Sequence, residues 1–173
     1  MNRFFGDSLR PRKKLAPASI DIRQVSRTDN RVSFLPAPWI VELDKTPDKW
    51  KGCHNWWAGY PFIVWIALDI DNGTRGHLRL NADLGPISDH RTRKDIIEVI
   101  ETLVMRDGLQ QIEFPSRSKD KDRLYSQFFR DNAVVINEIR DVSEIERKTP
   151  KLLSDFEPAF DLILEAILII ARP

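Results

Sequence analysis

The sequence is poor in the residues that build covalent frameworks and metal centres. Cys53 is the only cysteine, and there are three histidines among 173 residues. One thiol excludes an intramolecular disulfide and suits a reducing, cytoplasmic compartment. CxxC, HxxxH and HExxH spacings are missing, as are GxxxxGK[ST], GxGxxG and GxSxG. Zinc clusters, phosphate loops, dinucleotide folds and esterase elbows therefore have no support, and no metal or cofactor is expected. A surplus of one charge is lacking too: 27 Lys and Arg stand against 26 Asp and Glu, a net +1. That excludes a surface built throughout for phosphate. The most apolar stretch, 162–171, spans about ten residues and is broken by Glu165, where a bilayer needs roughly 20. The opening stretch from Met1 to Asp7 carries no signal-peptide core. A cytoplasmic protein without a membrane partner is expected.

What is present is a globular composition. Apolar residues make up 42% and charged residues 31% of a chain one domain long, enough to bury a core and too apolar for disorder throughout. The balanced charge hides an asymmetry. Residues 1–31 hold Arg3, Arg10, Arg12, Lys13, Lys14, Arg23, Arg27 and Arg31 against Asp7, Asp21 and Asp29, a local +5 that leaves −4 on residues 32–173. With Pro11 and Pro17 and no periodicity, 1–31 reads as an extended or flexible basic arm, and 32–173 as a single domain. Arg10, Arg12, Lys13 and Lys14 are candidates to touch phosphates or an acidic partner. A solvated terminus is the plain alternative.

Residues 32–61 gather Pro36, Pro38, Pro47 and Pro61 with Trp39, Trp50, Trp56 and Trp57, and Trp65 follows. The prolines argue against helix, leaving short strands at 32–35 and 40–43. From Phe62 the pattern is regular. The run 62–70 is apolar nearly throughout, a strand buried on both faces. Asp71-Asn72-Gly73 signals a turn. Leu78, Leu80 and Ala82 then alternate with His77, Arg79 and Asn81, so the two strands form a hairpin. Ile96, Ile97, Ile100, Leu103 and Val104 make one helical stripe, stopped by Gly108 and capped by Thr92 with Asp95, or a turn earlier by Ser88 or Asp89. Next come a strand at 110–114, a helix at 120–131 with Leu124, Tyr125, Phe128 and Phe129 on one face, and a strand at 133–139. Ser143 and Glu146 form a capping box for a further helix that Pro150 and Pro158 interrupt, and 158–170 follows with proline at the helix start. The sum is an α+β fold: a mixed sheet of about four to six strands with helices packed on it.

Chemistry is harder to place. Asp69, Asp71 and Asp83 lie near the hairpin, but a turn centred on Asn72-Gly73 puts Asp83 on the order of 20 Å from Asp69 along the sheet, too far to share an ion. Asp69 faces His77, a candidate base pair or a cross-strand ionic contact. Cys53-His54 and Asp89-His90 are adjacent pairs whose side chains diverge. No catalytic residue is assigned. Trp56 and Trp57 sit among Gly52, Asn55, Gly59 and Pro61, a loop in which indoles either bind bases or a partner or seal one end of the core. The segment 162–170, apolar almost all round, is either central in the monomer or a homodimer face through Leu162, Ile163, Ile167 and Ile170.

Between Trp57 and Ile170 the chain carries Tyr60-Pro61-Phe62 leading into the strand to Ile70, and Leu78 to Leu80 before Asp83-Leu84-Gly85-Pro86. Arg93 stands ahead of the Ile96 to Ile100 helix, and Arg123-Leu124-Tyr125-Ser126 follows. Further on come Asp141 with Glu144-Ile145-Glu146, and Leu152-Leu153 with Asp155, Phe156 and Pro158. In these it resembles an accessory module of unassigned activity that follows PD-(D/E)XK nuclease domains in bacterial and phage defence-type proteins. Such a nuclease needs two carboxylates for Mg²⁺ and a (D/E)-x-K lysine. The only (D/E)-x-K here is Glu146-Arg147-Lys148, at a capped helix start, and Glu113-Phe114-Pro115 has proline where lysine is required. The resemblance thus implies the accessory module without the nuclease. The expectation is a non-enzymatic interaction module that binds nucleic acid or a protein partner through the basic arm and Trp56 or Trp57. The alternatives are a small metal-dependent hydrolase using Asp69, His77, Asp83 or His90, and a structural homo-oligomer joined by the terminal helix.

Overall fold

A computed structural model describes residues 22–28 and 30–172. The arm candidates Arg10, Arg12, Lys13 and Lys14 lie outside the described residues. The fold is α+β. Strands β1 (Ile22–Arg27), β2 (Arg31–Pro36), β3 (Phe62–Ile70) and β4 (Gly76–Leu84) form an antiparallel sheet in that order. Two short strands, β5 (Ser126–Gln127) and β6 (Ala133–Ile136), both pair with the free edge of β4. Helices α1 (Ala37–Leu43), α2 (His90–Asp107), α3 (Val142–Asp155) and α4 (Glu157–Ile170) complete the chain.

The β3–β4 hairpin has the expected register, with Asp69 opposite His77 and pairing maintained to Phe62 opposite Leu84. Its even-numbered side chains, Phe62, Val64, Ile66 and Leu68 on β3 and Leu78, Leu80, Ala82 and Leu84 on β4, join one large core. The helices supply the other half: Trp39 from α1, Ile96, Ile97 and Ile100 from α2, Leu152 and Leu153 from α3, and Ile163 and Ile167 from α4. All four helices therefore cover the same face of the sheet. The opposite face carries, among the described residues, a small apolar cluster of Ile63, Trp65 and Ala67, against which Trp56 and Trp57 pack.

Several expectations are corrected. Residues 40–43 are helix rather than strand: α1 begins directly after Pro36 and accepts Pro38 in its first turn, where no intrahelical N–H is required. The end of the expected arm is ordered chain, since Ile22–Arg27 forms β1 on β2. Asp89 is the cap of α2, its carboxylate accepting from the Arg91 and Thr92 amides, and Gly108 ends the helix in the left-handed region at φ 64. The strand at 110–114 reduces to one bridge, Ile112 to Phe129. The helix at 120–131 does not form; turns and β5 take its place. The strand expected to reach Ile139 stops at Ile136. Asp141, not Ser143, caps α3, which runs through Pro150. An interior proline costs about 3 kcal/mol, and complete burial of Leu152 and Leu153 beyond it returns roughly 1.5–3 kcal/mol each.

The terminal helix is central in the monomer. Leu162, Ile163 and Ile167 are buried in the chain's own core, and Ile170 packs against it half-buried. Three of the four side chains expected at a homodimer face are thus already covered. Among the described residues, no helix is long and apolar enough to cross a membrane.

Candidate functional site

The helix-free face of the sheet carries the polar side chains of β4. Arg79 pairs with Asp69 at 3.0 Å, and the Asn81 amide donates to Gln127 Oε1 at 2.9 Å. Trp65 Nε1 donates to Asp83 Oδ2 at 2.8 Å, and the Arg31 guanidinium lies over the Trp65 ring, 4.2 Å from its centroid. The second carboxylate oxygen of Asp83 is buried with no hydrogen-bond partner among the described residues. Burial raises this carboxyl above its ordinary value, against the opposing pull of the Trp65 hydrogen bond and Arg31.

At the β5 end of this face a cleft of about 390 Å³ opens over Asp83, between Trp56, Arg123, Tyr125, Gln127 and Arg130, with Pro115 at its rim. Local structure explains each position. The Trp56 indole lies on Gly85, where any Cβ would overlap the ring. Tyr125, 49% exposed, approaches that indole with ring centroids 6.0 Å apart. Gln127 sits opposite Asp83 through the β4–β5 pairing.

Arg130 reaches the cleft because the chain bulges. Between Gln127 and Ala133 there are residues 128–132, where β4 has only 80–82. The excess is absorbed with Asp131 at φ 49, and Phe128 and Phe129 both point into the core, which strict alternation forbids. Arg130 then emerges on the open side and contacts Glu113 at 3.3 Å. Arg123 makes no ion pair among the described residues and is available to a ligand. Two aromatic rings and two guanidinium groups thus converge over an acceptor floor. That set is of the kind that stacks planar rings and binds anionic groups.

The candidates read from the sequence distribute unevenly. Trp56 belongs to the cleft, while Trp57 packs half-buried beneath the sheet at φ 34. Trp39 and Trp50 belong to the large core, and Trp65 is buried in the small cluster on the helix-free face. Asp69, His77, Asp83 and His90 are not brought together. Asp69 is held by Arg79, His77 Nδ1 sits 3.1 Å from Asp71 rather than on Asp69, and Asp83 lies opposite Ile63 at the far end of the ladder. His90 starts α2 and lines a different cavity. Cys53 is fully buried, its thiol pushed up to about 11 by burial, and His54 beside it is exposed. No group of three or more His, Cys, Asp or Glu is placed to hold a metal ion among the described residues. Arg123, Tyr125, Gln127 and Arg130 were missed. Their signal is the pairing of 126–127 with the end of β4, which no local pattern announces. No protein-family model, curated protein or solved structure matches the chain.

Proposed function

We propose that the chain is a non-catalytic interaction module, of the accessory kind implied by the resemblance to bacterial and phage defence proteins, and that its helix-free sheet face binds single-stranded nucleic acid. One observation carries the reading. Trp56 and Tyr125 stand 6.0 Å apart in a cleft that also holds Arg123 and Arg130. Aromatic platforms flanked by cations on a sheet are how sequence-tolerant single-strand binders stack bases and hold phosphates. Arg10, Arg12, Lys13 and Lys14 add phosphate contacts without reading sequence.

Intrinsic tryptophan fluorescence tests the proposal. Titration with a short single-stranded oligonucleotide at low and moderate salt is expected to quench saturably, with affinity falling as salt rises. A duplex of the same length binds more weakly, because its bases are not free to stack. Removal of both rings, W56A with Y125A, abolishes the quenching. No saturable binding at low salt overturns the proposal. Deletions of the arm stop at residue 21, because removing Ile22–Arg27 would take away β1.

A further inference from the structure

The two buried charges among the described residues are treated in opposite ways. Glu144 is 5% exposed and fully compensated: Lys148 Nζ lies 2.6 Å from it, and the Asn137 and Glu138 amides donate to it. Arg93 is 2% exposed and has no carboxylate partner among the described residues. Its terminal nitrogens donate to the Leu84 and Gly85 carbonyls and to Ser126 Oγ, at 3.4, 2.6 and 2.7 Å, and its Nε is buried without an acceptor. A guanidinium taken out of water without an opposite charge is strongly unfavourable. Burial, with Arg123 nearby, brings it down to about 10, so it remains charged at neutral pH.

A cavity of about 290 Å³ lies beside Arg93, between the turn after β4 and the 117–125 segment. Ser88, His90, Lys121 and Arg123 line it with Arg93, and among the described residues no carboxylate does. The acids next in sequence to the lining residues His90 and Lys121 are engaged elsewhere. Asp120 and Asp122 contact Arg117 at 2.8 and 3.4 Å, and Asp89 caps α2. Lys121 and Arg123 make no ion pair among the described residues. Three cations around one small cavity are a complement for a compact anion with several acceptor oxygens.

We infer that this cavity is a phosphoryl site, in which Lys121 and Arg123 close on a terminal phosphate above the buried Arg93 guanidinium, with Ser88 and His90 supplying further hydrogen bonds. Arg123 lines this cavity and the aromatic cleft alike. A strand stacked on Trp56 and Tyr125 therefore has its end within reach of the site; for that source of phosphate, the inference rests on the function proposed above. Free phosphate offers the same chemistry without a strand.

The test uses the full chain with inorganic phosphate alone, and then with one oligonucleotide carrying either a terminal phosphate or a hydroxyl. Phosphate is expected to raise the melting temperature where chloride at matched ionic strength does not. The phosphorylated strand is expected to bind at least about tenfold tighter than the hydroxyl strand, the worth of one charge-assisted hydrogen bond. Lys121→Ala, at an exposed residue that lines only the smaller cavity, removes both effects and leaves hydroxyl-strand affinity unchanged. If phosphate binds and neither strand does, the site stands with a free phosphate as its ligand and the nucleic-acid reading falls. If strands bind with no preference for a terminal phosphate and phosphate gives no shift, the phosphoryl site falls and the nucleic-acid reading survives. Effects that persist undiminished in K121A also overturn it.

Discussion

The two faces of β4 are built from alternate residues of one nine-residue strand, and they meet different surroundings. Leu78, Leu80, Ala82 and Leu84 are wholly buried under the helices. His77, Arg79, Asn81 and Asp83 stand on the face that no helix covers and find ionic or amide partners there, in Asp71, Asp69, Gln127 and Trp65. The first set is held by loss of water, the second by directed contacts, open to solvent at His77 and Arg79 and buried at Asn81. Stability should therefore reside on one face and recognition on the other.

Substitution on each face breaks or sharpens that contrast. The largest effect belongs to the covered side. Phe128 is fully buried, and its ring touches those of Phe62, Phe114 and Phe129. Phe128→Ala should lower unfolding free energy by about 3–5 kcal/mol in a denaturant titration; a loss below about 1 kcal/mol would mean the core face is not what holds the sheet. Asp83 comes next, at the floor of the cleft. Its folded carboxyl holds a proton more tightly than the unfolded one. Both forms are protonated in strong acid. As pH rises the unfolded chain ionises first, and the folded state loses stability until its own carboxyl ionises. Asp83→Asn keeps an acceptor for Trp65 and cannot ionise, so its stability relative to the native chain should rise as the pH climbs through and above the ordinary carboxylate range. Parallel pH profiles for the two proteins would contradict this. The smallest effect is expected at Arg79→Ala. An exposed ion pair contributes about 0–1 kcal/mol, and a loss above about 2 kcal/mol would show that the open face also supports the fold.

The hairpin and α2 were readable in the sequence because each presents a single period over many residues. Leu78, Leu80 and Ala82 alternate, and Ile96, Ile97, Ile100 and Leu103 recur at helical spacing, so the register and buried face followed directly. The segment 120–131 was not readable. Leu124, Tyr125, Phe128 and Phe129 fit one helical face as well as they fit a bulged strand, and only the open edge of β4 decides between them. In the structure Leu124 and Tyr125 are exposed while Phe128 and Phe129 are buried. The prolines around α1 misled for another reason: they forbid helix interiors, not helix starts. The candidate site shares this limit. Trp56 was visible as a loop indole, whereas Arg123, Gln127 and Arg130 join it only through pairing between distant parts of the chain. Arg93 carried no local sign either, because charge burial is decided by what packs above it.

The bulge opposite residues 80–82 has a consequence of parity. The chain from β5 to β6 holds two residues more than a continuous ladder would need, an even excess. A single extra residue would have turned Ala133 and Val135 toward the helices and Val134 outward, inverting β6. An even excess leaves every side chain of β6 on its own face while breaking the ladder in the middle. In-frame removal of two residues from 128–132 would therefore fuse β5 and β6 into one strand with its inside and outside preserved, and would erase the platform that brings Arg130 to the cleft. The length of this crossing thus sets the cleft in steps of two, and the limit on each step is the core, which the same segment fills with Phe128 and Phe129.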